Sequence, residues 1–590
     1  MINYHYRLSI PKEVLYDKKK LFAAMTLAFS VSMVLAGCGS EKKPEETKQT
    51  NGNSVTEETT KEAEKSEAKG SLEYTFADSV KDKAGYAEGK VTLTVDKKGS
   101  YSLFWSNDKG TLPGYYEIET VDITEDNGKA EIDFAYHVAI PADATKLIAV
   151  PAAEDKDSFD VTEAVAVYDI EASKQLKSEK ALYTFSSISD VHIDEEKWGN
   201  APAYWWEYSE DHWAKALAYA TKSKVDFIVS SGDQVTNASI TNLNREWNAY
   251  QYILSQSDYC NPIYECGGNH EVRQDGVVDQ ELVEYIKGSG LDNEFSSLES
   301  AKPYYSVVEP STGDLFIFMA LEGGYRPAQY DEFTVEQLDW LEGILKENYD
   351  KGHNIYLVQH ALIKGYGPGD DLETPYYSGA MNPTLDTTKR FISILETYKD
   401  IVWISGHSHE DYELGYNYTN NNGDSCNMIH NSSVGNPTHV TDGKIDYSFN
   451  ENLSQGYFVQ TFENAIVFNG VNYCDEKIYP MYSYIMDGKT SKTEVEEEKI
   501  STAVGKTAGN LRSIIANANT VLGLEYKMSS YNQYQSLKKL YYEYKDADID
   551  AMSKEDICKV YGNFQEKIAT LTSLSSRVDK LEITANTTNN

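Results

Sequence analysis

Leu182-Tyr183-Thr184-Phe185-Ser186-Ser187-Ile188 runs into Ser189-Asp190-Val191-His192, a mostly apolar stretch that ends on a carboxylate and an imidazole. The same arrangement recurs four times. Val225–Val229 leads to Gly232-Asp233, and Ile263-Tyr264 leads to Gly268-Asn269-His270-Glu271. Ile355–Val358 leads to His360, and Ile401–Ile404 leads to Gly406-His407-Ser408-His409. Short apolar runs of this kind read as buried strands. Helical patterns lie between them. One covers about Glu210 to Lys222. Another begins at Thr334, whose hydroxyl can cap while Gln337 closes a capping box, and continues through Leu338, Leu341, Ile344 and Leu345. Alternating strands and helices predict an α/β domain over residues 179–487. Polar residues at the carboxyl ends of its strands predict a site there.

Asp190, His192, Asp233, Asn269, His360, His407 and His409 offer carboxylate, imidazole and amide donors. These suit Zn, Mn or Fe. Seven donors exceed one tetrahedral ion but suit two ions that share a carboxylate. Two divalent ions bring +4, and the carboxylates of Asp190 and Asp233 with a bridging hydroxide remove three. The remaining positive charge can hold a phosphate.

Asp-x-His, Gly-Asp, Gly-Asn-His-Glu, a lone His and Gly-His-x-His, in this order, resemble the calcineurin-like metallophosphoesterase superfamily. The resemblance covers about residues 181–485. It implies a β-sandwich core with flanking helices, and two divalent or mixed-valence metal ions. The first would be held by Asp190, His192, Asp233 and His409, the second by Asp233, Asn269, His360 and His407, with Asp233 bridging. His270 would not bind metal but would face the phosphoryl group and assist the leaving oxygen. The implied reaction is attack of metal-bound hydroxide on a phosphomonoester or phosphodiester. Purple acid phosphatases, which the domain arrangement also resembles, carry a tyrosine ligand three residues after the bridging aspartate. Thr236 stands at that position.

Residues 71–178 read as all-β. Val91, Leu93 and Val95 alternate with polar residues, as do Tyr101, Leu103 and Trp105, and turn residues separate about seven such runs. A small fibronectin-III-like sandwich is expected, serving as a spacer. Residues 490–585 carry three apolar stripes at helical spacing. These are Ile500, Val504, Leu511 and Ile515; then Tyr534, Leu537, Tyr541 and Tyr544; then Ile557, Val560, Tyr561, Phe564, Ile568 and Leu571 after Ser553. They predict a helical bundle whose tyrosines are core.

Ahead of these, Lys18, Lys19 and Lys20 precede an uncharged stretch from Leu21 to Gly37 that ends in Leu35-Ala36-Gly37-Cys38. This resembles a bacterial lipoprotein signal: residues 1–37 removed, Cys38 acylated, and the mature protein held outside the cell on its membrane. Residues 38–70, rich in Glu, Lys and Thr, read as a solvated tether.

The 590-residue chain has a formal charge of −39, which disfavours nucleic-acid binding. Five cysteines remain after Cys38, and none has metal-ligand spacing with another. Buried small hydrophobes are the expected role of Cys260, Cys266, Cys426, Cys474 and Cys558. Trp198, Tyr204, Trp205, Trp206, Tyr208 and Trp213 crowd the segment after the first motif. Packing is the simpler reading, and a pocket wall that stacks on a base or sugar is the functional one. Structural roles are likewise expected of His212, His430 and His439. Two rival functions remain open on sequence: a non-enzymatic surface adhesion lipoprotein with an inert scaffold, and hydrolysis of amides or lactones by the same metals.

Overall fold

Eight short strands occupy the first part of the folded chain: β1 (Gly70–Phe76), β2 (Gly89–Val95), β3 (Gly99–Asn107), β4 (Gly110–Thr111), β5 (Glu119–Ile123), β6 (Lys129–Phe134), β7 (Lys146–Pro151) and β8 (Ala166–Asp169). They come from a computed structural model. It describes residues 69–153, 156–176, 180–193, 208–236, 240–271, 304–320, 333–370, 381–441, 444–446, 450–489, 506 and 508–572. The signal-like segment, Cys38 and the Glu/Lys-rich stretch to residue 68 lie outside the described residues. Strands β1, β2 and β6 form one antiparallel sheet, and β4, β3, β7 and β8, with β5 on β3, form another. The alternating Val91, Leu93 and Val95 point inward to share a core with Leu103, Trp105 and Leu147 of the facing sheet.

The second part alternates as its sequence requires. In order come β9 (Tyr183–Ile188), α1 (Ser209–Lys222), β10 (Phe227–Ser230), α2 (Ile240–Gln256), β11 (Ile263–Glu265), β12 (Tyr305–Val308), β13 (Leu315–Phe318), α3 (Val335–Asn348), β14 (Ile355–Val358), α4 (Asp386–Thr397), β15 (Val402–Ser405), β16 (Tyr418–Thr419) and β17 (Asn427–His430). A hairpin, β18 (His439–Thr441) with β19 (Lys444–Asp446), precedes β20 (Gln455–Thr461), β21 (Ala465–Asn472) and β22 (Lys477–Asp487).

Two six-stranded sheets result, ordered β11-β10-β9-β20-β21-β22 and β12-β13-β14-β15-β17-β16. Their motif-bearing strands are parallel within each sheet. The sheets face each other through aromatic rings: Phe316 meets Phe227 at 5.2 Å and Phe185 at 5.4 Å, both edge-on. Such edge-to-face pairs contribute about 0.5–1.5 kcal/mol beyond their burial. On the outer side of the first sheet Trp213 of α1 stacks on Tyr250 of α2 at 5.0 Å. On the outer side of the second, Leu338, Leu341 and Leu345 of α3 and Phe391 of α4 cover Leu357 and Trp403. The chain therefore has the mixed architecture expected of it, helices around two packed sheets. The first sandwich is fused to edge strand β22: Ala139 N–H donates to Ser483 O at 2.9 Å and Ile485 N–H to His137 O at 2.8 Å. Backbone groups that an edge would leave open thus find partners.

One local expectation fails. Thr334 Oγ1 accepts from Gln337 N–H at 3.2 Å, but the Gln337 side chain does not close the box. It turns instead to Ala320, accepting from its N–H at 3.1 Å and donating to its carbonyl at 2.9 Å. The backbone of Ala320 is buried just past the end of β13, and these bonds satisfy it.

Three further helices follow, α5 (Ala508–Leu522), α6 (Tyr531–Tyr544) and α7 (Lys554–Thr572). Leu511, Ile515, Leu537, Phe564, Ile568 and Leu571 share one core, with Tyr534, Tyr541 and Tyr544 half-buried against it. Ile500 and Val504 lie outside the described residues. The helices do not stand alone: α7 packs on α2, and Lys506 Nζ donates to Ser257 O at 2.7 Å. Cys260 and Cys558 form a disulfide across 298 residues with their Cα atoms 5.6 Å apart. This corrects the reading of those two cysteines as packing residues, since no spacing rule reveals a pair so distant in sequence. Cys266 and Cys426 are free and buried, and Cys474 is free and half-buried. Replacing Cys558 by Ser is expected to loosen the helical unit by about 2–5 kcal/mol, as long disulfide loops do. Faster hydrogen exchange in α5–α7 than in β9–β15 is the check; uniform exchange would show that the disulfide does not hold the docking. Among the described residues, no helix is long and apolar enough to cross a membrane.

Candidate metal centre

Asp190 lies two residues past β9, Asp233 three past β10, Asn269 four past β11, His360 two past β14 and His407 two past β15. All are therefore on loops at the carboxyl ends of parallel strands. The turns that aim them are tight. Asp190, His192, Asp233, His407 and His409 hold φ between 52° and 80°, a left-handed conformation that bulky residues seldom adopt. Cross-bonds impose it: Asp190 N–H donates to Gly232 O at 2.9 Å and His192 N–H to Asp233 O at 3.0 Å. His407 N–H donates to Asp190 Oδ2 at 2.9 Å and so ties the two sheets together. A Cβ at Gly268 would collide with Asp233 Oδ1, and one at Gly406 with Ser189 Oγ, which explains those two glycines.

The donor atoms converge in two clusters. In the first, His409 Nε2 lies 3.0 Å from both Asp190 Oδ1 and His192 Nε2. His192 Nε2 is 3.6 Å from Asp190 Oδ1 and from Asp233 Oδ2. In the second, His360 Nε2 is 3.1 Å from Asp233 Oδ2, Asn269 Oδ1 and His407 Nδ1. Asp233 Oδ2 faces both. His270 stands beside them, its Nε2 3.9 Å from Asp233 Oδ2. Ligand atoms of Asp190, His192 and His409 lie within 4.8 Å of one another, as do those of Asp233, His360 and His407, and of His192, Asp233 and His270.

Tautomers follow from the outer partners. His360 Nδ1 is 2.9 Å from Ser231 O, and His409 Nδ1 is 3.0 Å from Asn436 O. A carbonyl only accepts, so each Nδ1 carries hydrogen and each neutral ring presents an Nε2 lone pair to the cluster. Imidazole lone pairs and carboxylates brought together at 3 Å suit a divalent cation, and the donor set of nitrogen and oxygen fits Zn, Mn or Fe. Without one, protons must screen the charge. Burial lowers the His360 imidazole, but Asp233 and Asp190 outweigh it and raise it to about 9. Burial likewise opposes ionisation of Asp233, yet His360 and His270 hold its carboxyl well below the usual range. His407, buried and beside His360, is pushed down to about 3.

The seven ligand candidates and His270 are thus brought to one place. The structure sets the weaker candidates elsewhere. His212 is a packing residue, its Nδ1 2.9 Å from Gly435 O and its Nε2 3.2 Å from Glu451 O. His430 is buried with its Nε2 2.7 Å from Ser408 Oγ, the residue between His407 and His409 in sequence. The side chain of His439 and residues Trp198, Tyr204, Trp205 and Trp206 lie outside the described residues. Trp213 is core, and Tyr208 lies 6.2 Å from the His212 ring. Thr236 is buried with its hydroxyl on His192 O at 3.2 Å, and its carbonyl accepts from His270 Nδ1–H at 2.6 Å. The sequence reading missed the carbonyls of Ser231, Thr236 and Asn436, because a backbone acceptor has no side-chain signature.

It also missed Glu265, fully buried behind the third motif. Tyr250 of α2 donates to its carboxylate. Burial raises its pKa from an ordinary 4.5 to about 8. A carboxyl raised on folding stabilises fully below about pH 4.5 and loses that contribution as pH rises through about 8, by about 1.4 kcal/mol per pH unit between these limits. Glu265→Gln, neutral throughout, is therefore expected to gain melting temperature relative to wild type from pH 5 to 8. A pH-independent difference would refute the assignment.

Residues 184–411 match the family model described as calcineurin-like phosphoesterase. None of the curated proteins matches the chain. Among solved structures, a dimetal phosphatase from Danio rerio is 13% identical over 53% of this chain and 100% of its own, with a TM-score of 0.38. A purple acid phosphatase from seeds of yellow lupin, Lupinus luteus, is 11% identical over 68% of this chain and 72% of its own, with a TM-score of 0.35. An NAD nucleotidase from Haemophilus influenzae is 13% identical over 62% and 61%, with a TM-score of 0.28. With its five ordered motifs at the ends of parallel strands in two packed sheets, the chain carries a calcineurin-like phosphoesterase domain at residues 184–411.

Proposed function

We propose that this protein is a lipid-anchored, extracytoplasmic phosphoesterase that uses two metal ions to hydrolyse phosphomonoesters or phosphodiesters. The observation that carries the reading is the position of Asp233 Oδ2, 3.6 Å from His192 Nε2 and 3.1 Å from His360 Nε2. One carboxylate oxygen faces both donor clusters. Asp190, His192, Asp233 and His409 would hold one ion, and Asp233, Asn269, His360 and His407 the other. When bound, such a pair supplies positive charge for phosphoryl oxygens and water acidic enough to attack near neutrality.

The chain's own residues do the rest. Ser231 O and Asn436 O fix the rings of His360 and His409. The Thr236 carbonyl fixes His270 with Nε2 beside Asp233, where it can give a proton to the departing oxygen. The local charge of the ions offsets an overall −39 that would otherwise repel a phosphate.

Cys38 after Leu35-Ala36-Gly37 supports acylation and export. The Cys260–Cys558 disulfide supports the same compartment, because disulfides persist where thiols are not kept reduced. The test is metal analysis of the purified protein together with a panel of aryl phosphates, nucleotides, cyclic nucleotides and lipid or wall phosphodiesters, with Mn²⁺ or Zn²⁺ added. Near two ions per chain and chelator-sensitive turnover of a phosphate ester are expected. Fewer than one ion, or no turnover of any ester, would return the protein to the class of inert surface scaffolds.

A further inference from the structure

The carboxylate of Glu271 is completely buried, and among the described residues no lysine or arginine faces it. Four backbone N–H groups do. Oε2 accepts from Gly268 N–H at 2.6 Å and Asp233 N–H at 3.1 Å. Oε1 accepts from Gln234 N–H at 2.9 Å and Val235 N–H at 3.4 Å. These donors belong to two different loops. Asp233, Gln234 and Val235 follow β10, whereas Gly268 precedes Asn269 and His270 on the loop after β11. A further link crosses the same gap, with His270 N–H donating to Asp233 Oδ1 at 2.9 Å.

We propose that Glu271 is a positioning residue that fixes Asp233 against Asn269 and His270, and so sets the separation of the two metal positions. The inference rests on the two-metal reading above. A carboxylate is needed because all four neighbours donate and both oxygens accept twice. An amide in its place would turn an NH₂ toward N–H groups and lose two acceptances. The β10 loop would then keep fewer ties to the β11 loop, among them His270 N–H on Asp233 Oδ1 and Gln234 Nε2 on Cys266 O at 3.3 Å. Asp233 would keep its own strand but lose its register with Asn269.

The experiment is Mn²⁺ titration of wild type and Glu271→Gln, read by binding stoichiometry and by electron paramagnetic resonance. Wild type is expected to take up two Mn²⁺ per chain with the signal of a coupled pair. Glu271→Gln is expected to bind Mn²⁺ some 10–100-fold more weakly, the usual effect of losing an outer partner of a ligand, and to show isolated ions. A purely structural role would lower the melting temperature and leave the coupled signal unchanged, and that result overturns the proposal. If Glu271→Gln does not fold, Glu271→Asp keeps the charge but withdraws it by one methylene; several-fold weaker Mn²⁺ binding then supports the proposal and wild-type affinity overturns it. Fewer than two Mn²⁺ in wild type would instead refute the two-metal reading itself.

Discussion

Asp233→Asn is expected to cost the protein its bound metal and its hydrolytic activity together. Among the described residues, Asp233 is the candidate whose oxygen faces both donor clusters, so its substitution touches both positions at once. The amide keeps the volume but removes a unit of negative charge from a fully buried site. In that setting charge counts strongly, because little water screens it. The Asp190 carboxylate then stands alone against two divalent ions. The Oδ1 bond from His270 N–H can survive in Asn, so the loop geometry is largely spared and the effect isolates the charge. Loss of an outer partner lowers metal affinity 10–100-fold, and loss of a shared ligand should exceed the upper end of that range. Metal analysis after dialysis is expected to fall from near two ions to below one, with turnover falling in parallel. A variant that keeps two ions would show that Asp233 does not bridge.

The contrast between Asp233 and the Cys260–Cys558 pair shows what a sequence can carry. Each motif residue follows a short apolar run, the motif strands are parallel within each sheet, and the packing of the two sheets brings their carboxyl ends together. Order along the chain therefore becomes proximity in space, and the seven donors and His270 were legible. Two kinds of feature were not. The first is long-range contact with no periodic signature: the disulfide, the packing of α7 on α2, and the turning of Gln337 to Ala320 rather than to its own cap. The second is backbone chemistry. The carbonyls that set the histidine tautomers and the N–H groups that surround Glu271 belong to every residue type, so no side-chain spacing announces them. Glu271 stood inside the Gly-Asn-His-Glu motif without a role, because its partners are visible only once β10 and β11 lie side by side.

His270→Ala separates metal binding from proton transfer, and it is the second large effect. His270 differs from the other histidines of the site in its setting. Its ring donates from Nδ1–H to Thr236 O and packs edge-on against His192, and its Nε2 is 3.9 Å from Asp233 Oδ2, beyond hydrogen-bond range. Its side chain is 16% exposed and that of His409 13%, whereas those of His192 and His360 are at most 1% exposed. It therefore lines the open side of the clusters, where a phosphate ester would enter. The other seven donors suffice for two ions, so the variant is expected to keep near two ions per chain. Its kcat is expected to fall by roughly 10²–10⁴, the usual worth of a positioned proton donor. The loss should depend on the ester. An alkoxide leaving group needs the proton and should show the full effect, whereas a nitrophenolate leaves without it and should show far less. If the variant loses one ion, His270 is a ligand with His192 and Asp233, a grouping permitted by ligand atoms that all lie within 4.8 Å of one another. If both leaving groups slow equally, His270 stabilises charge on the phosphoryl oxygens rather than delivering a proton.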